Sequence, residues 1–238
     1  MKIIISPSKT KKISDLKNIT IYEEPYFPKI TNEIVSEIKK MNVSEIEKKF
    51  KLKNGQAEKL SEFYKTFENQ LCGHALSTYT GIAYKSINIE SFDKEELEFA
   101  QNNLIILSAL YGILTPFSKL KEYRLDMVNS IFEQKSLYEI WKKPLSEYFK
   151  NEEQIINLAS KEYSKLVNSN NVYDFEFYDE KDGKLKQIST NSKKMRGFTV
   201  NYIVKNKIIN VENLKNINLG EYKYNKEMSG IRKYVYIK

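Results

Sequence analysis

Apolar residues fall into short unbroken runs and into helical repeats along the chain, and together these patterns predict an α/β fold. Three runs rich in β-branched or aliphatic residues, "KIIIS", "LIILSAL" and "QIINLAS", are typical of buried strands. The stretches between them repeat their apolar residues at helical spacing. Alternation of strands and helices predicts a mixed sheet with surrounding helices. Because no Pro-rich or Gly/Ser-rich stretch interrupts the sequence, one compact domain is expected over residues 1–238.

The region after the first strand is predicted to be helical. Residues 31–71 predict two or three helices, because Ile34, Ile38 and Met41 recur at helical spacing. Within this region, "KLKNGQAEKL" places an Asn-Gly turn between two amphipathic stretches. The segment therefore predicts a helical hairpin with lysines at its bend.

Later segments predict a helix with an internal proline, a β-hairpin and a last helix. Residues 136–150 are typical of a helix kinked or restarted at Pro144, with the single tryptophan, Trp141, in the core. Aromatic and acidic residues alternate in 171–190 before an Asp-Gly turn, which predicts a hairpin. The stretch "NSKKMRGFTVNYIVKN" predicts a helix whose buried stripe holds Met195, Phe198 and Tyr202. By contrast, "TYTGIAYKSI" resembles a strand broken by a glycine.

The charge of the chain favours anionic partners. Lys and Arg outnumber Asp and Glu by 39 to 31, which gives a formal net charge of +8. This balance favours nucleic acid, then phosphorylated small molecules or acidic surfaces, although dispersed lysines are equally typical of a solvated surface. Only Arg124, Arg196 and Arg232 are arginines. In a lysine-rich chain each arginine is a candidate for a task that needs a planar, two-pronged donor.

The single cysteine and the short apolar runs predict a cytoplasmic protein. Cys72 alone excludes an internal disulfide and fits a reducing compartment. The apolar run at the N-terminus is shorter than the core of a signal peptide, and no window has the length of a membrane helix. With one His and one Cys, the chain offers few ligands for a transition metal, so neither a metal nor a cofactor is expected.

The segment "SPSKT" directly follows the first strand, where open sheets place their ligand-binding groups. If Ser6 caps a helix, the backbone N–H groups and the side chains of Ser8, Lys9 and Thr10 can hold a phosphate or carboxylate. An ordinary capped turn is the alternative. Ser6 and Lys9 also spell S-x-x-K, which on a helix can activate a serine nucleophile, but the companion motifs of that enzyme class are missing.

Two arginine-containing segments extend the candidate site. In an extended chain, Arg124 and Asp126 project to one face of "KEYRLDM", where Asp126 can orient the guanidinium toward an anion beside Tyr123. A structural Arg–Asp pair is the alternative. On the last helix, Lys193 and Arg196 share a face with a glycine that permits close approach to a ligand backbone.

The pair Cys72 and His74 is the remaining candidate for chemistry. The two residues place the only thiol and the only imidazole of the chain within three positions. Proximity in sequence does not make a nucleophile and base meet, and a structural zinc site needs four ligands. A buried thiol beside a hydrogen-bonded histidine is therefore the expected arrangement.

Seven segments together resemble the bacterial YaaA family: "IIISPSKT", "YTGIAY", "LSALYGILTPF", "KEYRLDM", "LYEIWKKPL", "INLASKEYSKLV" and "KKMRGF". The resemblance covers nearly the whole chain. It implies a cytoplasmic protein of the peroxide stress response that binds DNA and limits iron-driven oxidative damage. It also implies a single compact α/β body with a basic cleft and a helix-hairpin-helix-like element.

That element corresponds to residues 43–67, where the resemblance implies contacts to the DNA backbone from the bend: Lys51, Lys53, Asn54, Gly55 and Lys59. Such an element reads duplex shape with little regard for sequence. This chain has Gly55 alone where hairpins of this class typically carry two glycines around an aliphatic residue.

The strand-end loop and the two arginines lie outside that hairpin and predict a second feature, an anion pocket in the cleft. The expected ligand is a phosphate of double-stranded DNA or an anionic small molecule. Two other readings stay open: an enzyme acting on a nucleotide or other anion in the same cleft, and a protein-interaction module, which needs an exposed apolar patch.

Overall fold

The β-branched runs of the sequence form the centre of the sheet in the computed structural model, which describes residues 1–53 and 55–238. The three predicted strands are β1, β3 and β6 in chain order, and their residues are almost entirely buried. The ten strands are β1 (Lys2–Ile5), β2 (Cys72–His74), β3 (Leu104–Ser108), β4 (Gly112–Leu114), β5 (Lys119–Lys121), β6 (Ile155–Leu158), β7 (Val172–Lys181), β8 (Lys184–Lys186), β9 (Lys223–Tyr224) and β10 (Lys233–Ile237).

Eight strands form one mixed sheet with a parallel centre. The order is β4-β3-β1-β6-β7-β10-β9, and β8 pairs with β7 off this path. Strands β3, β1, β6, β7 and β10 run parallel, whereas β4 and β9 pair antiparallel at the two edges. Strands β2 and β5 form a separate antiparallel pair. A parallel sheet must be covered on both faces, which explains why its strands are continuous runs of apolar residues.

The helices occupy the connections between these strands. The nine α-helices in the described part of the chain are α1 (Pro28–Lys40), α2 (Val43–Phe50), α3 (Gln56–Lys65), α4 (Ala75–Thr78), α5 (Ile82–Ile87), α6 (Lys94–Asn103), α7 (Leu137–Phe149), α8 (Lys161–Ser164) and α9 (Ser189–Lys205). Short 3-10 turns follow at Phe67–Asn69, Ile89–Ser91 and Val211–Asn216. The predicted α/β fold class is thereby confirmed.

Local chemistry explains where several helices begin. Asp93 caps α6 and Ser136 caps α7, each with a glutamate three residues later that closes a capping box. Pro144 lies inside α7, as predicted. On the same helix Trp141 is fully buried, and its indole N–H donates to the carbonyl of Ala109 at 2.9 Å. The helix is therefore fixed to the loop that follows β3.

Two predictions of secondary structure and burial are wrong. Residues 82–87 of "TYTGIAYKSI" form helix α5 instead of a strand, and α5 packs against α9. On α9, Met195 is buried, but Phe198 is exposed and its place in the contact is taken by Gly197. A Cβ added at Gly197 would lie 2.1 Å from the carbonyl oxygen of Ala83. The close contact between the two helices therefore requires glycine, and it is this contact that the glycine serves, not a ligand backbone.

The predicted hairpins are both present. Helices α2 and α3 follow each other in the chain and pack together, and β7 and β8 pair antiparallel around Gly183. Asn42 caps α2 through a capping box with Glu45, and Lys51 ends that helix in the left-handed conformation, with φ of 53°. Gly55 precedes α3 with φ of 72°, a conformation that favours glycine.

Candidate anion-binding cleft

A cleft of about 560 Å³ lies at the carboxyl ends of β1 and β6. Strand β1 lies between β3 and β6, so the sheet grows from β1 in one direction through β3 and in the opposite direction through β6. Where the strand order reverses in this way, a crevice opens beyond the carboxyl ends of the strands, and open α/β sheets bind their ligands there. Ile5 and Leu158, the last residues of the two strands, lie in the wall of the cleft.

All nine residues predicted for the anion pocket line this one cleft: Ser6, Ser8, Lys9, Thr10, Tyr123, Arg124, Asp126, Lys193 and Arg196. They come from three stretches of the chain, residues 6–10, 123–126 and 193–196, that are far apart in the sequence. The fold therefore brings the predicted residues together. Their role toward a ligand stays a prediction.

The "SPSKT" segment is an extended loop, which corrects one premise of its prediction. No helix begins at Ser6, since the first helix in the described residues is α1 at Pro28. The helical cap and the helical S-x-x-K arrangement are therefore wrong. The Ser6 hydroxyl instead accepts a hydrogen bond from the backbone N–H of Ser160 at 2.8 Å, and the Ser6 carbonyl accepts one from Tyr84 at 3.0 Å. These contacts fix the loop to the start of α8, just after β6, and to α5.

The outer part of the loop exposes two hydroxyls to the cleft. The oxygens of Ser8 and Thr10 lie 3.2 Å apart, and the Thr10 backbone N–H donates to the Ser8 hydroxyl. Gly81 allows this close packing, because a Cβ there would lie 2.2 Å from the Ser8 oxygen. Two hydroxyls and a neighbouring ammonium form a suitable donor set for a phosphate oxygen.

The "KEYRLDM" segment alternates as predicted, but its ion pair is different. Tyr123, Leu125 and Met127 are buried, whereas Arg124 is exposed and Asp126 is half-buried. Asp126 pairs with Lys9 at 3.0 Å, so the predicted Arg124–Asp126 pair is wrong. The Arg124 guanidinium makes no hydrogen bond or ion pair within the described part of the chain. The charge of Asp126 instead joins this segment to the strand-end loop.

Helix α9 contributes a second partly buried cation to the cleft. Lys193 is exposed, but the Nε atom of Arg196 is buried and has no hydrogen-bond partner among residues 1–53 and 55–238. Burial lowers the pKa of Arg196. The tight packing of Gly197 on Ala83 holds this part of α9 against the wall. An unpaired guanidinium N–H in a cleft is an open position for an acceptor.

Five further lining residues with polar or charged side chains were not predicted: Lys11, Tyr84, Ser160, Glu162 and Tyr163. Lys11 follows the loop and is half-buried, with its Nζ 4.3 Å from the ring centre of Tyr123 and 5.4 Å from that of Tyr79. Burial lowers its pKa to about 8, against the charges of Asp126 and Glu122, which raise it. In the sequence Lys11 is one lysine in a run of three near neighbours. Only its position after a strand-end loop could have singled it out.

Tyr84, Tyr123 and Tyr163 line the cleft, and the buried Tyr79 contacts the first two of them. The Tyr123 hydroxyl lies 2.8 Å from the Ser108 hydroxyl and 3.1 Å from that of Tyr79. Burial raises the pKa of Tyr123 to about 12 and also raises that of Tyr79. These phenols therefore stay protonated at neutral pH and offer hydrogen bonds and aromatic surface without adding negative charge.

The charges of the cleft are strongly unequal. Five cationic side chains line it, Lys9, Lys11, Arg124, Lys193 and Arg196, against the carboxylates of Asp126 and Glu162. The Oε1 atom of Glu162 is buried without a hydrogen-bond partner in the described residues. The arrangement attracts an anion and leaves one buried acceptor beside it.

The hairpin turn between α2 and α3 has a different character. Lys51, Lys53, Gly55 and Lys59 are exposed and are not among the residues that line the cleft, whereas Asn54 lies outside the described residues. The hairpin nevertheless touches the cleft wall, because the Tyr64 hydroxyl of α3 donates to the Arg124 carbonyl at 3.1 Å. The likeness to a helix-hairpin-helix element stays a prediction.

His74 is a structural residue. Its Nδ1 accepts a hydrogen bond from the backbone N–H of Leu16 at 3.1 Å, and its Nε2 lies 3.1 Å from the Ile21 carbonyl, to which it donates. The hydrogen-bonded histidine is confirmed. Cys72 is only half-buried, so the predicted burial of the thiol is wrong. Groups of three or more His, Cys, Asp or Glu that could hold a metal are not found in the described residues.

Comparison with known proteins assigns the family. A family profile described as "Peroxide stress protein YaaA" matches residues 1–228. The chain belongs to the YaaA family. The chain is also similar to proteins named UPF0246 protein, from Fusobacterium nucleatum at 38% identity and from Clostridioides difficile at 37%. The first alignment covers 99% of this chain and 98% of the relative, and the second covers 100% of both.

The match places this YaaA-family chain among peroxide stress proteins, as its motifs predicted. Another UPF0246 protein, from Finegoldia magna, is 38% identical over 100% of this chain and 98% of its own length. Within residues 1–53 and 55–238, none of the helices combines the length and apolar character needed to cross a bilayer.

Proposed function

We propose that this peroxide stress protein binds double-stranded DNA largely through the phosphate backbone, with one backbone phosphate held in the cleft. Binding of this kind would act in the cytoplasm, where a chain with a single cysteine is expected to work, and would limit iron-driven oxidative damage to the DNA. The proposal is supported by the excess of cations in the cleft and by the net charge of +8.

Arg196 is the residue that supports the proposal most strongly. A buried polar group without a partner lowers stability, and native proteins rarely retain one without a reason. Its Nε is buried and unpaired in the described residues, and its side chain lines the cleft. A phosphate oxygen in the cleft would interact with the permanent charge of the guanidinium, and a shift of the side chain would let it accept the Nε–H hydrogen bond.

The hairpin turn supplies the second set of contacts in this proposal. Lys51, Lys53 and Lys59 are exposed around Gly55, so their ammonium groups can approach neighbouring phosphates. Exposed lysines on one turn contact a duplex without reading its bases. We therefore expect the hairpin, used as a helix-hairpin-helix element, to add affinity that is independent of sequence.

Salt dependence is the test of this mode. Fluorescence anisotropy with a labelled duplex should show log affinity falling linearly with log salt, with a slope of about 0.9 for each phosphate neutralised. Arg124→Ala should weaken binding and reduce the slope, whereas the matched Arg232→Ala, outside the cleft, should change neither. Affinity that stays constant between low and physiological salt would contradict the proposal.

The second candidate is an enzyme that acts on a nucleotide or another anionic small molecule in the same cleft. The volume of about 560 Å³ is typical of a small-molecule site, and the unpaired Glu162 oxygen could accept a hydrogen bond from a sugar or base. Isothermal titration with nucleoside monophosphates distinguishes the candidates. Micromolar binding that survives high salt and excludes duplex DNA from the cleft would favour the enzyme.

A further inference from the structure

Lys11 differs from the other lysines of the cleft in its surroundings. Lys9 is 83% exposed at its side chain and is paired with Asp126, and Lys193 is exposed on α9. Lys11 is half-buried against the rings of Tyr79 and Tyr123, and its Nζ takes part in no hydrogen bond or ion pair recorded for the described residues. The ammonium therefore has aromatic rings as neighbours but, within the described residues, no carboxylate partner, unlike Lys9.

Burial leaves the Lys11 amine partly unprotonated near neutral pH. Burial is the largest influence and lowers its pKa to about 8, Arg124 lowers it as well, and Asp126 and Glu122 raise it. Arg196, Lys193 and Glu162 are the other charged groups of the same cleft. At pH 7.4 roughly a fifth of such a lysine is neutral, against about one part in a thousand for an ordinary lysine. A neutral amine is a nucleophile.

We propose that Lys11 forms an imine with an aldehyde of a phosphorylated ligand bound in the cleft. The inference rests on the proposed function, because it takes the cleft as the place where a phosphate is held. Lysines that react in this way are activated by burial beside another cationic group, which describes Lys11 next to Arg124.

The reaction needs no second reagent. The Nζ lone pair attacks the carbonyl carbon and forms the C–N bond. The carbonyl oxygen leaves as water with the two hydrogens of the neutral amine, and the imine double bond remains. Asp126 and Glu122 are the carboxylates whose charge acts on Lys11, and they can stabilise the cationic forms on this path.

The arrangement of the cleft defines the ligand class. Ser8, Lys9 and Thr10 with Arg124 offer donors for a phosphate at the exposed mouth, whereas Lys11 lies deeper between aromatic rings. A ligand must therefore carry a phosphate and an aldehyde a few bonds apart. Two sources share this chemistry, namely a small sugar phosphate and the ring-opened deoxyribose of a DNA nucleotide that has lost its base.

Borohydride trapping tests the inference with both sources. The protein is incubated with glyceraldehyde 3-phosphate, or with a duplex that carries one aldehydic abasic site, and the imine is reduced to a stable amine with sodium borohydride. Peptide mapping should place the adduct on Lys11 in preference to the other 35 lysines. A duplex with a tetrahydrofuran analogue, which has no aldehyde, should give no adduct.

Matched variants separate the reactive amine from general lysine chemistry. Lys11→Arg keeps a cation and Lys11→Met removes it, and both should reduce trapping at least tenfold while circular dichroism reports a folded chain. Lys12→Met removes an exposed lysine outside the cleft and should trap as the unchanged protein does. The yield at Lys11 should rise with a midpoint near pH 8, whereas the yield at Lys12 should still increase above pH 9.

The results of these experiments either support the imine and identify its source or overturn it. Selective adducts with the abasic duplex alone, or with the sugar phosphate alone, support the inference and identify the source. Equal labelling of Lys11 and Lys12 with both probes overturns it. Salt-dependent binding of an intact duplex, measured on the same preparation, keeps the two proposals apart. Binding without trapping removes only the imine, and trapping without binding removes only the proposed DNA contact.

Discussion

The cleft and the hairpin turn are both rich in cations, but the cations are partly buried in the cleft and exposed at the turn. The turn gathers Lys51, Lys53 and Lys59 within nine positions of the sequence, and all three stay exposed. The cleft collects cations from three distant stretches and partly buries Lys11 and Arg196. Exposed lysines are screened by water and salt, whereas half-buried cations interact more strongly with an anion that displaces the water. The density of lysine in the sequence therefore does not indicate which region is the more selective.

The largest difference is expected when each region loses its glycine. Gly197→Ala places a methyl group 2.1 Å from the Ala83 carbonyl, so α9 must move away from α5, and about 3 kcal/mol of unfolding free energy should be lost. Gly55→Ala has open space around it and faces only its left-handed backbone, so it should cost about 1 kcal/mol. Urea denaturation measures both. Equal losses would mean that the wall of the cleft is no more tightly packed than the turn.

The next largest effect concerns the buried guanidinium. Arg196→Met should lower the affinity for duplex DNA by about tenfold, because it removes a charge-assisted hydrogen bond to phosphate. The unfolding free energy should stay equal or rise, since an unpaired buried cation is replaced by an apolar side chain. Arg232→Met is the matched control, with both quantities unchanged. A loss of stability in Arg196→Met would show that the guanidinium has a structural partner in solution.

The pH dependence of stability should reveal the environment of Lys11. Its pKa is lowered in the folded protein from 10.5 to about 8, so the unfolded chain binds more protons between these values and stability rises with pH across that window. Lys11→Met should be more stable than the unchanged protein at pH 7, by about 1 kcal/mol or roughly 2 to 4 °C in Tm. Thermal melts should show this gain shrinking from pH 8 to pH 10. A constant gain would indicate that Lys11 is fully solvated.

The smallest effects are expected at the turn. Lys53→Ala and Lys59→Ala should each weaken DNA binding a few-fold, to the same extent on every sequence, and reduce the salt slope by about 0.9. Anisotropy titrations at several salt concentrations measure both quantities. If these two changes abolished binding while Arg196→Met had no effect, the turn would contribute more to DNA affinity than the cleft does.

Much of the sheet and the membership of the cleft could be predicted from the sequence. The three β-branched runs identify β1, β3 and β6, because strands buried on both faces consist almost entirely of apolar residues. The loop after β1 could be singled out because ligand sites follow strand ends, and two arginines stood out in a lysine-rich chain.

Other features of the site depend on contacts that no local pattern contains. The sequence pattern of residues 82–87 predicts a strand, yet these residues form a helix that packs on α9. Asp126 has a nearby arginine in the sequence, but its partner in the fold is Lys9 from the other end of the site. The burial of Lys11 depends on tyrosines roughly 70 and 110 residues away, so its lowered pKa is a property of the folded chain alone.

The pairing of β1 has a consequence for how the molecule reaches its working state. Ile3 pairs with Leu104 and Ile4 with Asn157, so the two neighbours of this strand arrive only after loops of roughly 100 and 150 residues have closed. Loops of this size make such a topology slow to assemble. During that interval the lysines are already charged but the recess they share does not yet exist, so an incompletely folded chain should attract polyanions indiscriminately and acquire selectivity only in its last kinetic step.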